Sequence, residues 1–168
     1  LVGINFGALM TLGAYYVQTQ NVALEPLVAS VPVSLLIAAV LYINEFPDYI
    51  ADKTVGKNTL VVRLGRTRAV FGYASIVLGA YLFIFLSALV GVTPAYTLFG
   101  FITFPLAFES VRHAFKFHSQ STSLVPANAM TIIIHLLTSL LISFGYLIYR
   151  FEAMSPSYLF ILVIVGIC

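Results

Sequence analysis

Long uncharged stretches alternate with short polar connections along this chain. No Asp, Glu, Lys or Arg occurs in residues 1–24, 26–44, 69–108, 117–149 and 153–168. A helix that crosses a bilayer needs about 20 mostly apolar residues. The stretch 69–108 is long enough for two such helices, and Gly91, Thr93 and Pro94 in its middle indicate a turn. The pattern therefore predicts helical spans near residues 3–22, 26–44, 69–91, 95–112, 126–149 and from 156 onward.

Composition favours helices over strands for these stretches. The chain is 61% hydrophobic and 8% charged, and its mean hydropathy is +1.03. In lipid every backbone N–H and C=O group must pair internally, and uniformly apolar stretches of this length do so as helices. Strands of a membrane barrel would be shorter and would alternate polar with apolar residues. The predicted fold class is all-α, a polytopic membrane protein with five to six transmembrane helices in this chain.

The distribution of basic residues predicts an orientation. Seven of the eight Lys and Arg residues fall in two connections, as Lys53, Lys57, Arg63, Arg66, Arg68, Arg112 and Lys116. Two crossings separate these connections, so both are predicted to face the same side. Basic residues prefer the cytoplasmic side. We therefore predict an integral multi-pass protein of the cell inner membrane whose 44–68 loop is cytoplasmic.

Neither end of the chain resembles a natural terminus. The chain begins with Leu1 and ends with Cys168, each inside an apolar stretch. Residues 1–24 lack the basic start of a cleavable signal peptide. We expect a piece of a longer protein, and its single Cys allows no internal disulfide.

The most informative polar residues lie in the connection at 44–68. Asn44, Asp48 and Asp52 are spaced four residues apart. On a helix each such step turns only about 40° and rises about 6 Å, so the three side chains would share one face. Pro47 breaks helical hydrogen bonding and disfavours helical geometry before it. We predict a kink or restart there, with Asp48 and Asp52 as the more secure pair.

This spacing indicates a divalent cation and an anionic ligand. Paired carboxylates without nearby His or Cys favour a hard cation over zinc. Mg²⁺ is commonly held by one or two carboxylates, with water and phosphate oxygens completing its shell. The basic residues that follow suggest a phosphorylated ligand. The alternative is that the carboxylates are solvated and paired with Lys53 and Lys57, and that the basic residues anchor the helix ends. Glu45 points elsewhere and is a weaker candidate.

Residues 44–65, N-E-F-P-D-Y-I-A-D-K-T-V-G-K-N-T-L-V-V-R-L-G, strongly resemble the second aspartate-rich motif of the UbiA-type intramembrane prenyltransferases. The resemblance is closest to the 1,4-dihydroxy-2-naphthoate branch of the menaquinone pathway. The matching positions are Asn44, Asp48, Asp52, Gly56, Lys57, Thr59, Leu60, Val62, Arg63, Leu64 and Gly65. Residues 13–19, G-A-Y-Y-V-Q-T, also resemble the preceding span of that branch.

The resemblance implies an architecture. Members of the family have nine transmembrane helices around a central cavity, with two aspartate-rich motifs on cytoplasmic loops. By this analogy residues 1–168 form part of a single prenyltransferase domain that begins in the fifth helix. The first motif would lie upstream, and residues 156–168 would begin a span beyond the usual set. We expect the 168-residue chain alone to be inactive, because half of the metal site would be missing.

The resemblance also implies a reaction and residue roles. The family transfers a prenyl group from a polyprenyl diphosphate to an acceptor, usually aromatic, with Mg²⁺ compensating the charge of the leaving diphosphate. Asp48 and Asp52 would bind Mg²⁺, with Asn44 as a direct or water-mediated ligand. Lys57 would contact the diphosphate. Arg63 and Lys53 are further substrate-binding candidates; Arg63 could instead cap the next helix, and Lys53 could be a topology anchor. Polar side chains in a span usually face the bundle interior, so Tyr15 and Gln18, which share a face of the first span, are also substrate-binding candidates. The alternative for these two is interhelical hydrogen bonding.

Other polar residues in the spans are predicted to be structural. Asn128 and His135 are seven apart and share one face, where His135 is expected to be an interhelical partner rather than a catalytic group. Glu109 and Arg112 are expected to pair with each other. His113 and His118 are assigned to a solvated loop without chemical function.

Competing functions stay open at this stage. Other family members prenylate 4-hydroxybenzoate, homogentisate, haem or a glycerol-phosphate lipid. A transporter would place its polar residues near mid-membrane, and a non-catalytic membrane scaffold would need no metal site. No nucleic-acid partner is predicted.

Overall fold

The computed structural model describes residues 1–153, and this part of the chain is helical throughout with no strand. A π-helical stretch at Ile4–Leu9 continues as α1 (Met10–Thr19), and a 3₁₀ stretch at Ala95–Thr103 continues as α6 (Phe104–Phe117). The other helices are α2 (Leu24–Asn44), α3 (Tyr49–Thr54), α4 (Leu60–Leu64), α5 (Arg66–Leu89) and α7 (Val125–Ala153).

Within residues 1–153, three helices are long and apolar enough to cross a membrane. They cover Leu24–Asn44, Arg66–Leu89 and Val125–Glu152, where the sequence predicted spans at 26–44, 69–91 and 126–149. The predicted spans at 3–22 and 95–112 are also helical, but each is divided between two helix types. The span predicted from residue 156 onward lies outside the described residues. The all-α membrane fold class is confirmed.

The connections sort into two ends of the bundle. At one end, the Arg66 guanidinium donates to Ser119 O at 2.8 Å, and Ser121 Oγ donates to Pro47 O at 3.2 Å. At the other end, a recess of about 380 Å³ is bounded by Glu25, residues 91–94, Tyr146 and Tyr149. The two basic connections therefore lie at the same end of the bundle.

Within residues 1–153, two clusters of hydroxyl groups join α5, α6 with its 3₁₀ stretch, and α7, and a third joins α5 to the 3₁₀ stretch through the turn between them. They are Tyr73 with Ser110 and Thr131, Tyr81 with Thr103 and Thr138, and Ser87 with Thr93 and Thr97. Within the first cluster the Tyr73 hydroxyl lies 2.7 Å from Ser110 Oγ and 2.6 Å from Thr131 Oγ1. Lipid supplies little hydrophobic drive between helices, so such hydrogen bonds help to hold membrane bundles together.

The N-terminal segment packs against α2 through glycine. A Cβ atom at Gly7 would collide with Ser34, and one at Gly3 would lie 2.6 Å from Ser34 O. The absence of side chains at these positions lets the two backbones approach closely. Because α1 ends at Thr19 and α2 begins at Leu24, the two run antiparallel. The C-terminal half of α1 therefore lies beside the start of α2, far from Asn44.

Candidate functional site

The backbone between α2 and α3 explains where the acidic side chains lie. Pro47 has no N–H, and from Asn44 onward the helix gives way to turns. The Phe46 and Tyr49 amides donate to carbonyls three residues back, each at 3.3 Å. Four-residue bonding resumes when Asp52 N donates to Asp48 O at 2.8 Å. The predicted restart at Pro47 is confirmed.

The end of α3 brings Lys57 back onto Asp52. Gly56 has φ of +74°, Lys57 N donates to Asp52 O at 2.8 Å, and Gly56 N donates to Lys53 O at 3.3 Å. These two bonds form a Schellman motif, which favours glycine at the left-handed position. The reversal places Lys57 Nζ 3.1 and 3.2 Å from the two carboxylate oxygens of Asp52.

Asp48 and Asp52 have different surroundings. The Asp52 side chain is only 10% exposed, whereas that of its partner Lys57 is 61% exposed. Asp48 is exposed, and its carboxylate makes none of the hydrogen bonds or ion pairs found in residues 1–153. The pairing of Asp52 with Lys57 matches the alternative from the sequence, in which the carboxylates form ion pairs with nearby lysines. It also puts a cation and two acidic groups at one end of the bundle.

Asn44 is held from across the bundle. Asn128, in the first turn of α7, donates from Nδ2 to Asn44 Oδ1 at 2.7 Å. The Oδ1 atom of Asn128 is buried and has no hydrogen-bond partner among the described residues. Sequence reasoning predicted that Asn128 was structural but gave no partner for it, because the two residues lie 84 positions apart.

Arg66 connects several segments at this end of the bundle, a role that the sequence did not predict. Its guanidinium donates to Phe46 O from Nε at 3.2 Å and from Nη2 at 2.9 Å, and to Ser121 Oγ from Nη2 at 3.0 Å. It also lies 5.0 Å from the centre of the Tyr49 ring. The available signal was indirect: a helix broken at Pro47 exposes carbonyl groups that need donors.

The Glu45 carboxylate caps the start of α4. Its Oε2 atom accepts from Val61 N at 3.3 Å, and the Thr59 hydroxyl accepts from Val62 N at the same distance. A helix N-terminus leaves amide donors free, and side-chain oxygens commonly satisfy them. This contact agrees with the low rank that the sequence gave Glu45 as a metal ligand.

The remaining predicted site residues lie further out. Lys53 is exposed, with Nζ 5.9 Å from the Tyr49 ring centre. Arg63 is exposed in the last turn of α4, and its side chain forms no hydrogen bond or ion pair within the described range. Tyr15 and Gln18 lie on α1 toward the opposite end of α2 from Asn44. The structure does not bring these two together with the acidic residues, so their substrate contacts stay predictions.

The other polar predictions have mixed outcomes. Glu109 and Arg112 pair at 3.6 Å as expected. His113 belongs to α6, and its Nε2 lies 2.8 Å from Ser123 O. His135 Nδ1 is buried without a hydrogen-bond partner in residues 1–153, so the expected interhelical partner for that atom is not found there.

The donor atoms at this end of the bundle fit a hard divalent cation. Asp48, Asp52 and Asn44 offer only oxygen ligands on this stretch, and Asp48 is unengaged in the part of the chain that is described. No group of three or more His, Cys, Asp or Glu residues suited to a metal occurs among these residues. Mg²⁺ does not require one, because one or two carboxylates with phosphate and water oxygens suffice.

Fold and site together define a class: a polytopic helical membrane protein with an Asn/Asp motif at one end of its bundle, where a nearly buried aspartate pairs with an exposed lysine. Comparison with known proteins narrows the class, since a sequence model of the UbiA prenyltransferase family matches residues 1–125. The chain belongs to that family, which confirms the resemblance predicted from residues 44–65.

Named relatives share this part of the family. The chain is similar to 1,4-dihydroxy-2-naphthoate octaprenyltransferase of Haemophilus influenzae, with 36% identity over 146 residues, 85% of this chain and 46% of the relative. The same enzyme of Escherichia coli is 29% identical over 88% of this chain and 48% of its own. Human UbiA prenyltransferase domain-containing protein 1 is 30% identical over 88% and 42%. The chain spans about half the length of these relatives. No solved structure gives a significant match.

Proposed function

We propose that this chain is the C-terminal half of an intramembrane prenyltransferase that transfers a prenyl group from a polyprenyl diphosphate to an aromatic acceptor. One observation carries the proposal: in a chain of the UbiA family, Asp52 is held against Lys57 close to the exposed Asp48. Cation-binding carboxylates and a diphosphate-binding lysine are thereby brought together on one short connection.

The acidic residues would hold Mg²⁺, which neutralises the negative charge that develops on a leaving diphosphate. Asp48 is free to bind on the exposed side, and Asp52 would bind through the carboxylate that now accepts from Lys57. Asn44 would contribute an amide oxygen directly or through water. All three are the hard oxygen donors that this cation prefers.

When the substrate binds, Lys57 would leave the Asp52 carboxylate and bind a phosphate oxygen instead. Its ammonium group is largely exposed and can turn toward a ligand, whereas the Asp52 carboxylate is nearly buried. A buried carboxylate needs a compensating charge, and Mg²⁺ would supply it when Lys57 turns to the phosphate. A fixed cation next to the departing diphosphate stabilises the transition state. Lys53 and Arg63, both exposed on the same connection, are secondary candidates for this contact.

The apolar helices would protect the reaction from water. Breaking the allylic C–O bond produces cationic character on carbon, which water would capture unless it is excluded. Three helices of the described region, two of which flank this connection, are long and apolar enough to cross a membrane. The acceptor would attack within this environment, on the side of the membrane where the basic connections lie. The charge rule places that side in the cytoplasm.

The acceptor we propose is 1,4-dihydroxy-2-naphthoate, in the menaquinone pathway. The support is that three relatives, from Haemophilus influenzae, Escherichia coli and Bacillus subtilis, are named for transfer to this compound. A transporter is less well supported, because the charged cluster lies at a bundle end and not at mid-membrane.

The test is an assay of the full-length protein with labelled polyprenyl diphosphates and a panel of aromatic acceptors. We expect prenyl transfer that requires Mg²⁺ and prefers 1,4-dihydroxy-2-naphthoate. A preference for another acceptor would leave the reaction class intact and correct the substrate. Transfer at full rate after removal of divalent cations would contradict the metal assignment, and no transfer to any acceptor would contradict the proposed activity.

A further inference from the structure

The turn that separates Asn44 from Asp48 depends on donors from outside the motif. The carbonyls of Phe46 and Pro47 lie in this turn, where regular helical bonding is interrupted. Phe46 O accepts two bonds from Arg66 in addition to a 3.3 Å bond from Tyr49 N, and Pro47 O accepts one from Ser121. Ser121 also accepts from Arg66 Nη2 at 3.0 Å. Residues of α5 and of the connection before α7 therefore fix the geometry of the turn.

The contacts of Arg66 suit guanidinium better than a simple charge. It bonds two backbone carbonyls and one hydroxyl, and its central carbon lies 5.0 Å from the ring centre of Tyr49, the first residue of α3. Within residues 1–153 it pairs with no carboxylate. Guanidinium presents several donors in a rigid plane, whereas ammonium is a flexible point charge. Lysine could keep the charge here but could not keep all of these bonds.

Asn128 acts on the other side of the turn. Its bond to Asn44 Oδ1, at 2.7 Å, ties the last residue of α2 to the first turn of α7. Asn44 is the amide member of the acidic motif, so this bond sets the direction in which its side chain points. Partners of metal ligands commonly fix ligand orientation in this way.

We propose that Arg66 and Asn128 are positioning residues, which hold the two halves of the Asn44–Asp52 motif in the arrangement that binds a divalent cation with diphosphate. This inference rests on the function proposed above. Neither residue belongs to the matched motif positions, and neither would touch the reacting atoms. Their effect passes through the Phe46 carbonyl and the Asn44 amide.

The test measures cation binding separately from activity. The full-length protein in nanodiscs is titrated with Mn²⁺ in the presence of inorganic pyrophosphate, and free Mn²⁺ is followed by electron paramagnetic resonance. The variants are Arg66→Ala, Arg66→Lys and Asn128→Leu. Arg68→Ala is the matched control, because Arg68 is exposed on the same helix and its side chain makes no hydrogen bond or ion pair in the described region. Thermal unfolding of each variant is recorded in parallel.

We expect Arg66→Ala and Asn128→Leu each to weaken Mn²⁺ binding by about 10-fold or more, as changes to partners of metal ligands commonly do. Arg66→Lys should be intermediate, and Arg68→Ala should bind as the wild type does. If Arg66→Ala does not fold, the Mn²⁺ affinity of Arg66→Lys tests the role of Arg66 instead. Wild-type Mn²⁺ affinity in a folded variant would remove that residue from the proposal.

A further variant separates this proposal from the one on which it rests. Asp52→Asn should abolish Mn²⁺ binding in the same titration. Wild-type binding by Asp52→Asn would overturn the metal site itself, and the positioning role with it. Lost binding in Asp52→Asn together with intact binding in both Arg66→Ala and Asn128→Leu would overturn the positioning role alone.

Discussion

The hydroxyl-linked bundle and the acidic connection of this protein are held together by different chemistry. In the bundle of α5, α6 and α7, neutral hydroxyl groups pair with one another in buried clusters. In the connection at 45–65, charged and backbone groups pair, and a carboxylate and a lysine remain at the surface. Small neutral pairs stabilise helices in lipid, whereas partly exposed charges stay available to a ligand.

Loss of Asp52 should give the largest effect on function with little effect on the bundle. We expect Asp52→Asn to lower kcat/KM for prenyl transfer by at least about 100-fold, the order seen when a group that stabilises transition-state charge is removed. Glu109→Gln is the matched control, because Glu109 is exposed and contacts only Arg112 among the described charges. Equal activity in the two variants would show that the acidic connection is not the site.

Gly56→Ala should disturb the same connection through its backbone. Alanine at φ of +74° costs about 1–2 kcal/mol, and relaxation would draw Lys57 away from Asp52. We expect kcat/KM to fall by about 10-fold, since 1.4 kcal/mol corresponds to that factor. Gly79→Ala is the control: neither glycine has an atom within 4 Å of an added Cβ, and Gly79 lies inside α5 with ordinary φ. A similar loss in both variants would contradict the backbone explanation.

Much of this arrangement was predictable from local sequence. The apolar stretch 26–44 predicted the helix Leu24–Asn44, and Pro47 predicted the break after it. Gly56, with φ of +74°, then allows the reversal toward Asp52. These features depend on residues within one or two helical turns. The lengths of the uncharged stretches gave the number of crossings between the two basic connections, and this number predicted that both lie at one end of the bundle.

The cross-bundle contacts were not predictable in this way. Arg66 reaches Phe46 across 20 positions and Ser119 across 53, and Asn128 reaches Asn44 across 84. The clusters around Tyr73 and Tyr81 likewise join three separate helices. Such pairs depend on helix rotation and crossing, which hydropathy leaves undetermined because lipid and protein interior are equally apolar.

In the bundle, loss of one hydroxyl should affect stability and spare activity. We expect Tyr81→Phe to lower the free energy of unfolding by about 0.6–1.7 kcal/mol, the average and the maximum found for hydrogen bonds between membrane helices by double-mutant cycles. The loss is limited because Thr103 and Thr138 remain 2.6 Å apart. Unfolding in mixed detergent micelles, followed by circular dichroism, measures it. Ser143→Ala is the control, since that exposed hydroxyl bonds only within α7.

An activity loss in Tyr81→Phe without a stability loss would break the division between the two regions.

The smallest effect should come from the exposed Glu109–Arg112 pair. Its atoms are 3.6 Å apart, and both side chains are more than half exposed. Such pairs contribute about 0–1 kcal/mol, so Arg112→Ala should leave the unfolding free energy nearly unchanged in the same micelle assay. A loss larger than that of Tyr81→Phe would show that exposed charges, and not buried hydroxyls, stabilise the bundle.

The most direct test of the central claim is a structure of the full-length protein with Mn²⁺ and an unreactive prenyl thiodiphosphate, recorded with the anomalous signal of manganese. The account predicts a manganese peak at coordination distance, about 2 Å, from oxygens of Asp48 and Asp52, with Lys57 turned from Asp52 to the diphosphate. A manganese peak away from both carboxylates, with Lys57 still paired to Asp52, would contradict it.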